Sequence, residues 1–359
     1  MPGTLLLMCA GGSSRFPQER PKWSLTHPSG NMMAAESIRG LAEQFDRVVA
    51  VFSMEAVDAQ RTWLPNGYQD LEREFTFAGL DVEILADPSL GRSHAADVGR
   101  ALDLAEVEGP FVAKDCDNWF SLPLAELGAD GEGYLAVSSL MDSSYLVDPR
   151  NKSYVQCEAV SHRAPYVVEV AERVMLSDLF CCGAYGFPSA EVYREHMRPS
   201  FTNVSQVVQA AINEKVTFRA RKASGYEDWG TVEAWQRYRD TFRTLFVDID
   251  GTLLQGGHRT FYPRWGQGQP LVRNVRHLNE LVAGGRTEVI LTTARPEYWR
   301  AATELELERA GVKYHRLVMG LRHCARVLVN DYHPGRAERT ASAVQLPRDT
   351  EQLPEAMAR

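Results

Sequence analysis

Short apolar runs recur along the first two-thirds of the chain, at Thr4–Cys9, Arg47–Phe52, Val82–Ala86, Phe111–Lys114 and Tyr134–Ser138. Each is strand-sized, and the stretches between them, such as Met33–Phe45 and Ser93–Glu106, carry apolar residues at helical spacing. Strands alternating with helices predict an α/β domain with a mainly parallel sheet. A second rhythm starts at Thr244, with strands over Leu245–Ile249, Glu288–Thr292 and Arg326–Asn330 and helices over Val272–Ala283 and Glu297–Ala310. It predicts a separate, smaller sheet. The join falls at Trp235–Arg243, a polar and aromatic stretch without Gly, Pro or Ser. The expected organisation is a domain over 1–235, a linker over 236–243, a second domain over 244–340 and a loose polar tail over 341–359.

A chain of 359 residues is long enough for two cores. The net charge of −8 argues against a phosphate-backbone binder, which needs a basic footprint, so the expected partners are small molecules and not nucleic acid. The run Leu5–Ala10 is too short for a membrane span and has no basic flank, so no membrane is expected. Cys9, Cys116, Cys157, Cys181, Cys182 and Cys324 form no metal or disulfide spacing, which implies a reduced, cytoplasmic protein. A homo-oligomer is compatible with all of this.

The first strand runs straight into Ala10-Gly11-Gly12-Ser13-Ser14-Arg15-Phe16, followed by Pro21-Lys22. A glycine-rich turn at a strand end lets backbone N–H groups approach a triphosphate, with Arg15 and Lys22 to neutralise it. Asp117 follows the strand Phe111–Lys114, and Asp228 sits far downstream in Glu227-Asp228-Trp229-Gly230-Thr231. Carboxylates at strand ends can hold Mg²⁺ against phosphate oxygens, although each alone also suits a cap or turn.

Over roughly residues 1 to 235 these pieces resemble the sugar-phosphate nucleotidyltransferases, the sugar-nucleotide pyrophosphorylases, in their order. The resemblance implies a Rossmann-like, GT-A-like mixed sheet. Gly11, Gly12 and Ser13 would form the nucleotide loop, with Ser13 where a glycine is usual. Asp87-Pro88-Ser89-Leu90-Gly91 resembles the base-reading segment, so Asp87 and Gly91 would touch the nucleobase. Glu172 would accept sugar hydroxyls and Arg173 would meet the acceptor phosphate, with Gly183 in the facing segment. Asp117 and Asp228 would hold Mg²⁺. The implied step is attack of an acceptor phosphate on the α-phosphorus of a nucleoside triphosphate, with Arg15 and Lys22 stabilising charge and pyrophosphate leaving.

In the second domain the apolar strand Leu245–Ile249 carries Asp248 and is followed by Asp250-Gly251-Thr252. Alternation puts Asp248 and Asp250 on one side of an extended chain, where both can face one phosphate. This string resembles the first motif of the haloacid dehalogenase superfamily, and later segments resemble its other motifs. The resemblance implies a Rossmannoid domain with a minimal cap, Asp248 as nucleophile and Asp250 as proton carrier. Thr293 would bond the phosphoryl group, Arg326 (or Arg322 or Lys313) would be the nearby cation, and Asp331 would join Asp248 and Asp250 around Mg²⁺. Gln255–Pro270 would be a small lid.

The expected protein is therefore a bifunctional, Mg²⁺-dependent enzyme. One half would join a nucleoside triphosphate to a phosphorylated small molecule, by resemblance a sugar phosphate, and the other would act as a phosphatase. The setting would be surface-polysaccharide or related precursor synthesis. The alternatives are a cytidylyltransferase for a phosphorylated amino alcohol, polyol or phosphonate, a phosphatase whose N-terminal half only binds nucleotide, and a glycosyltransferase.

Overall fold

A computed structural model describes residues 3–12, 20–123, 131–142, 148–159, 164–256, 265–331 and 340–358. The chain divides into two compact units, Met1–Arg239 and Asp240–Arg359.

The strands of the first unit are β1 (Thr4–Met8), β2 (Arg47–Ser53), β3 (Glu83–Asp87), β4 (Phe111–Asp115), β5 (Asn118–Ser121), β6 (Gly133–Ser139), β7 (Ser153–Glu158), β8 (Tyr166–Glu172), β9 (Leu179–Phe187), β10 (Phe218–Lys222) and β11 (Ser224–Asp228). Its helices are α1 (Met33–Ser37), α2 (Met54–Asp58), α3 (Tyr68–Phe77), α4 (His94–Leu104), α5 (Ala190–His196), α6 (Val204–Asn213) and α7 (Val232–Asp240). Nine of the strands make one sheet in the order β3-β2-β1-β4-β9-β6-β10-β8-β7, and β5 pairs with β11 separately. The pairs β3–β2, β2–β1 and β1–β4 are parallel, whereas β9 is antiparallel to both β4 and β6. The sheet is thus mixed, its parallel half being the Val- and Leu-rich strands that apolar residues cover on both faces.

The predicted helix Met33–Phe45 is instead a single turn, α1, and then a 3₁₀ turn at Ala42–Gln44, broken by Gly40 at φ 81°. The expected linker, 236–243, is short and partly helical. Its first residues lie in α7, and the next strand, β12 (Arg243–Asp248), begins three residues after that helix ends.

The second unit adds β13 (Thr287–Thr292) and β14 (Arg316–Val318), in the parallel order β12-β13-β14, with α8 (Val272–Ala283), α9 (Arg300–Arg309) and α10 (Leu353–Met357). Leu253, Leu254, Leu278, Leu291 and Leu307 lie at the centre of its core. The expected strand Arg326–Asn330 is not one. Its Val327, Leu328 and Val329 are 85%, 59% and 89% exposed, and β14 takes the place beside β13. An apolar, β-branched run reads as a strand locally, but a strand exists only with a hydrogen-bonded partner.

The tail departs from expectation in the other direction. Asp349 donates its backbone N–H to the Gly251 carbonyl (2.9 Å), and its carboxylate accepts from the Gly256 N–H (2.7 Å). Buried Asn274 on α8 donates to the Thr252 and Thr350 carbonyls (2.8 Å each) and accepts from the Leu353 N–H (3.0 Å). Polar composition concealed this docking, because it rests on hydrogen bonds between polar side chains and backbone groups around one apolar anchor, Leu353. Among the described residues no helix is long and apolar enough to cross a membrane.

Asn274→Ala removes all three bonds and leaves buried backbone groups unmatched, at a cost of about 2–3 kcal/mol. Urea unfolding of the C-terminal unit will show this; a loss below ~0.5 kcal/mol would mean that the tail is not held as described.

Candidate active site

In the first unit the strand order places β2 and β3 on one side of β1 and β4 on the other, and such a divergence opens a crevice at the strands' C-terminal ends. Met8 is in register with Asp115, so Gly11-Gly12 and the segment Asp115–Asp117 leave the sheet at the same edge. Among the described residues nothing lies within 4 Å of where a Cβ would stand on either glycine. Ser13 and Arg15 lie outside the described residues. Lys22 opens a 3₁₀ turn after Pro21 and donates to Asp117 at 2.6 Å.

The antiparallel β5–β11 pair sets Asp228 opposite Asn118, and the Trp229 N–H donates to the Asp117 carbonyl (2.9 Å). The backbones of Asp117 and Asp228, 111 residues apart in number, thereby lie side by side. Asp228 accepts from the Gly230 N–H (3.0 Å) and from Lys152 Nζ (2.8 Å). The stretch after it is anchored by an aromatic cluster of Trp229, Trp235 and Tyr238 around His27, whose Nε2 lies 2.8 Å from the Tyr238 hydroxyl.

Lys114, Asp115, His94 and Lys152 were not among the expected site residues. Lys114 is fully buried and donates to the Asp115 carbonyl (2.6 Å), the Asn118 carbonyl (3.2 Å) and the Asn118 side-chain oxygen (2.6 Å). Burial pulls its pKa down to about 8. A lysine inside an apolar strand was the visible signal. Asp115 lies 3.2 Å from His94 Nε2, and burial raises its carboxyl above the ordinary range. His94 thus turns toward Asp115. Lys152 left no sequence signal, since nothing local distinguishes it from a surface lysine.

Gly183, expected in the acceptor wall, has φ 77°, and a Cβ there would collide with the Asp115 carboxylate and approach Asn118 Nδ2 to 2.8 Å. Its bareness accommodates these two side chains. Gly91, at φ 93°, lies against Ser53 and the Ala10 carbonyl, and buried Asp97 accepts its N–H (3.0 Å). This carries the Asp87–Gly91 segment to the end of β1. The Asp87 carboxylate accepts from the Ser89 hydroxyl and N–H, which hold its pKa down. Glu172 is engaged by the Ser153 hydroxyl (2.5 Å) and by Ser205. Arg173, exposed and at φ 58°, donates its N–H to the Lys152 carbonyl (2.9 Å).

In the second unit Asp248 is in register with Thr292 and accepts from Arg326 Nη1 at 2.8 Å, so Arg326 is the cation at this carboxylate. Burial pushes the Asp248 carboxyl up against that pull. Asp250 receives Arg295, which is 1% exposed, through Nη2 (2.7 Å) and Nε (3.0 Å). Arg295 also donates to Glu306 (2.5 Å), and Glu306 accepts the Gly266 and Gly268 N–H groups (3.1 and 2.6 Å). Thr293 Oγ1 lies 3.4 Å from Asp250. Asp331 lies in the 326–331 segment, which pairs with no strand among the described residues, and it is not grouped there with Asp248 and Asp250. Among the described residues no three His, Cys, Asp or Glu side chains are grouped as for a metal ion. Half of the expected lid, residues 257–264, lies outside the described residues.

The N-terminal part shares its fold with solved nucleotidyltransferase structures. A nucleoside-diphosphate-sugar pyrophosphorylase from Vibrio cholerae RC9 is 18% identical with a TM-score of 0.53, the match covering 66% of this chain and 98% of that one. A UDP-glucose pyrophosphorylase complexed with UDP-glucose is 11% identical (TM-score 0.50, 67% and 99% covered). A UTP-bound UGPase from Acinetobacter baumannii is 15% identical (TM-score 0.50, 66% and 92% covered). No family model and no curated protein matches the sequence.

Burial lowers the His27 pKa from 6.5 to about 4, so the unfolded chain takes up this proton first as pH falls. Its stabilising contribution is complete above pH 6.5 and is lost between 6.5 and about 4. Melting temperatures measured across that window should decline less steeply in His27→Gln than in wild type. Equal slopes would contradict a neutral, buried His27.

Proposed function

We propose that the N-terminal unit transfers a nucleotidyl group from a nucleoside triphosphate to a phosphorylated small molecule, releasing pyrophosphate. The observation that carries this is the meeting of Asp117 and Asp228 across the β5–β11 pair, at the crevice of a nucleotidyltransferase fold. Two hard carboxylates, each already paired with an ammonium group, suit Mg²⁺ shared with phosphate oxygens. Mg²⁺ there would lower the charge on the α-phosphate and the leaving pyrophosphate.

The chain's own groups do the aligning. Gly11 and Gly12 leave room for the triphosphate, and Lys22, beside Asp117, offers it a positive charge. Buried Lys114 ties down the Asp115–Asn118 turn, so Asp117 keeps its aim. In this reading Asp87–Gly91, whose Gly91 lies against the Ala10 carbonyl, would meet the base, and Glu172 and Arg173 would meet the acceptor. The names of two neighbours, pyrophosphorylases of UDP-glucose and of nucleoside-diphosphate sugars, support a sugar phosphate as acceptor. Precursor synthesis for surface polysaccharides is the corresponding setting.

For the C-terminal unit we propose phosphomonoester hydrolysis of the haloacid dehalogenase kind. Asp248 attacks phosphorus and the alkoxide leaves with a proton from Asp250; water, deprotonated by Asp250, then releases phosphate from the aspartyl-phosphate. Arg326 offsets charge at Asp248, and Arg295 fixes the orientation of Asp250. Asp331 is not grouped with Asp248 and Asp250 among the described residues, so no step is drawn through a magnesium ion here.

Wild type incubated with Mg²⁺, each of ATP, CTP, GTP and UTP, and a panel of phosphorylated sugars, polyols and amino alcohols should release pyrophosphate with one base, and Asp117→Asn should lower the rate roughly 100-fold or more. Phosphate release should fall as far in Asp248→Asn and persist in Asp117→Asn. Asp248-dependent phosphate without pyrophosphate from any pairing would reduce the N-terminal unit to a binding module.

A further inference from the structure

Lys152 stands immediately before β7, with its Nζ 2.8 Å from both Asp228 Oδ2 and the Tyr226 hydroxyl. The ammonium lies over the rings of Phe180 and Tyr226, 5.4 and 5.0 Å from their centroids. The Lys152 and Asp228 side chains are only 11% and 18% exposed. An ion pair withdrawn this far from water returns little net stability, because desolvation of both charges offsets their attraction. Its position is the informative feature. The Lys152 carbonyl accepts the Arg173 N–H at the end of β8, and the adjacent Ser153 hydroxyl bonds Glu172, so the lysine joins the acceptor wall to the carboxylate expected to hold metal. Lys22 stands to Asp117 as Lys152 stands to Asp228, which leaves each carboxylate neutralised by one ammonium group.

Resting on the transferase reading above, we propose that Lys152 binds the attacking phosphate of the acceptor, and that until then it occupies Asp228 in place of the divalent cation. When the cation takes the Asp228 carboxylate, the ammonium is released toward the dianionic phosphate, and the flexible four-carbon stem permits the move without a backbone change. The site then binds its metal and its acceptor in a coupled way, since each removes a partner that would hold the other off.

Lys152→Met keeps the stem between Phe180 and Tyr226 and removes only the charge. The KM for the acceptor should rise about tenfold or more while the KM for the nucleoside triphosphate stays within about twofold, and Lys152→Arg should recover part of the loss. Without substrates, Mn²⁺ titration followed by electron paramagnetic resonance should give tighter binding in Lys152→Met than in wild type, because a competing cation has gone. An unchanged acceptor KM with wild-type Mn²⁺ affinity, whatever happens to the melting temperature, would overturn the proposal and leave the transferase standing. If wild type releases no pyrophosphate and Lys152→Met binds Mn²⁺ no more tightly, both readings fall together.

Discussion

Carboxylates cannot be gathered at a partly dehydrated site without compensation, since each charge removed from water costs several kcal/mol unless it is paired. In this protein the compensation is lysine. Lys22 pairs with Asp117 and Lys152 with Asp228, while fully buried Lys114 spends its hydrogen bonds on the turn that carries Asp117. The surroundings serve this balance. Gly183 gives up its side chain to Asp115 and Asn118, the β5–β11 pair brings the two halves of the site together, and the Trp229–Trp235–Tyr238 cluster holds the chain directly after Asp228. A site built so before substrate arrives needs little rearrangement to receive phosphates, which are exchanged for carboxylates as partners of the same ammonium groups.

The C-terminal unit solves the same problem with guanidinium. Arg295 is shared between Asp250 and Glu306, and Glu306 in turn holds the backbone at Gly266 and Gly268, so a single buried cation joins the acidic loop after β12 to the insert beyond it. Asp349 and Asn274 hold that loop from the other side through backbone groups. The rigidity of residues 250–256 therefore depends on a segment more than ninety residues later, which no local pattern announces.

What the sequence revealed follows from the range of the forces involved. Strands β1, β2, β4, β6, β12 and β13 and the helix α8 were readable from hydrophobic periodicity, because burial imposes it residue by residue. Asp248 and Asp250 stood out locally, because alternation along a strand end puts both on one side, whereas Asp117 and Asp228 were singled out only through a family resemblance, each alone also suiting a cap or turn. Lys152 and Arg295 were not, because their roles arise from partners 76 and 45 residues away. Val327–Val329 misled for the complementary reason: the run has the composition of a strand but pairs with none among the described residues. The tail misled because its docking uses hydrogen bonds from the Asn274 and Asp349 side chains to backbone groups, which composition does not report.

The central claim is that Asp117 and Asp228 hold one divalent cation against a bound nucleoside triphosphate. Crystals grown with Mn²⁺ and an α,β-methylene triphosphate analogue, measured at the manganese absorption edge, test it directly. The account predicts one anomalous peak within coordination distance of both carboxylates and of the analogue's phosphate oxygens, with Lys22 and Lys152 moved off their aspartates. An analogue bound with both ion pairs intact, or manganese bound elsewhere in the crevice, would contradict it.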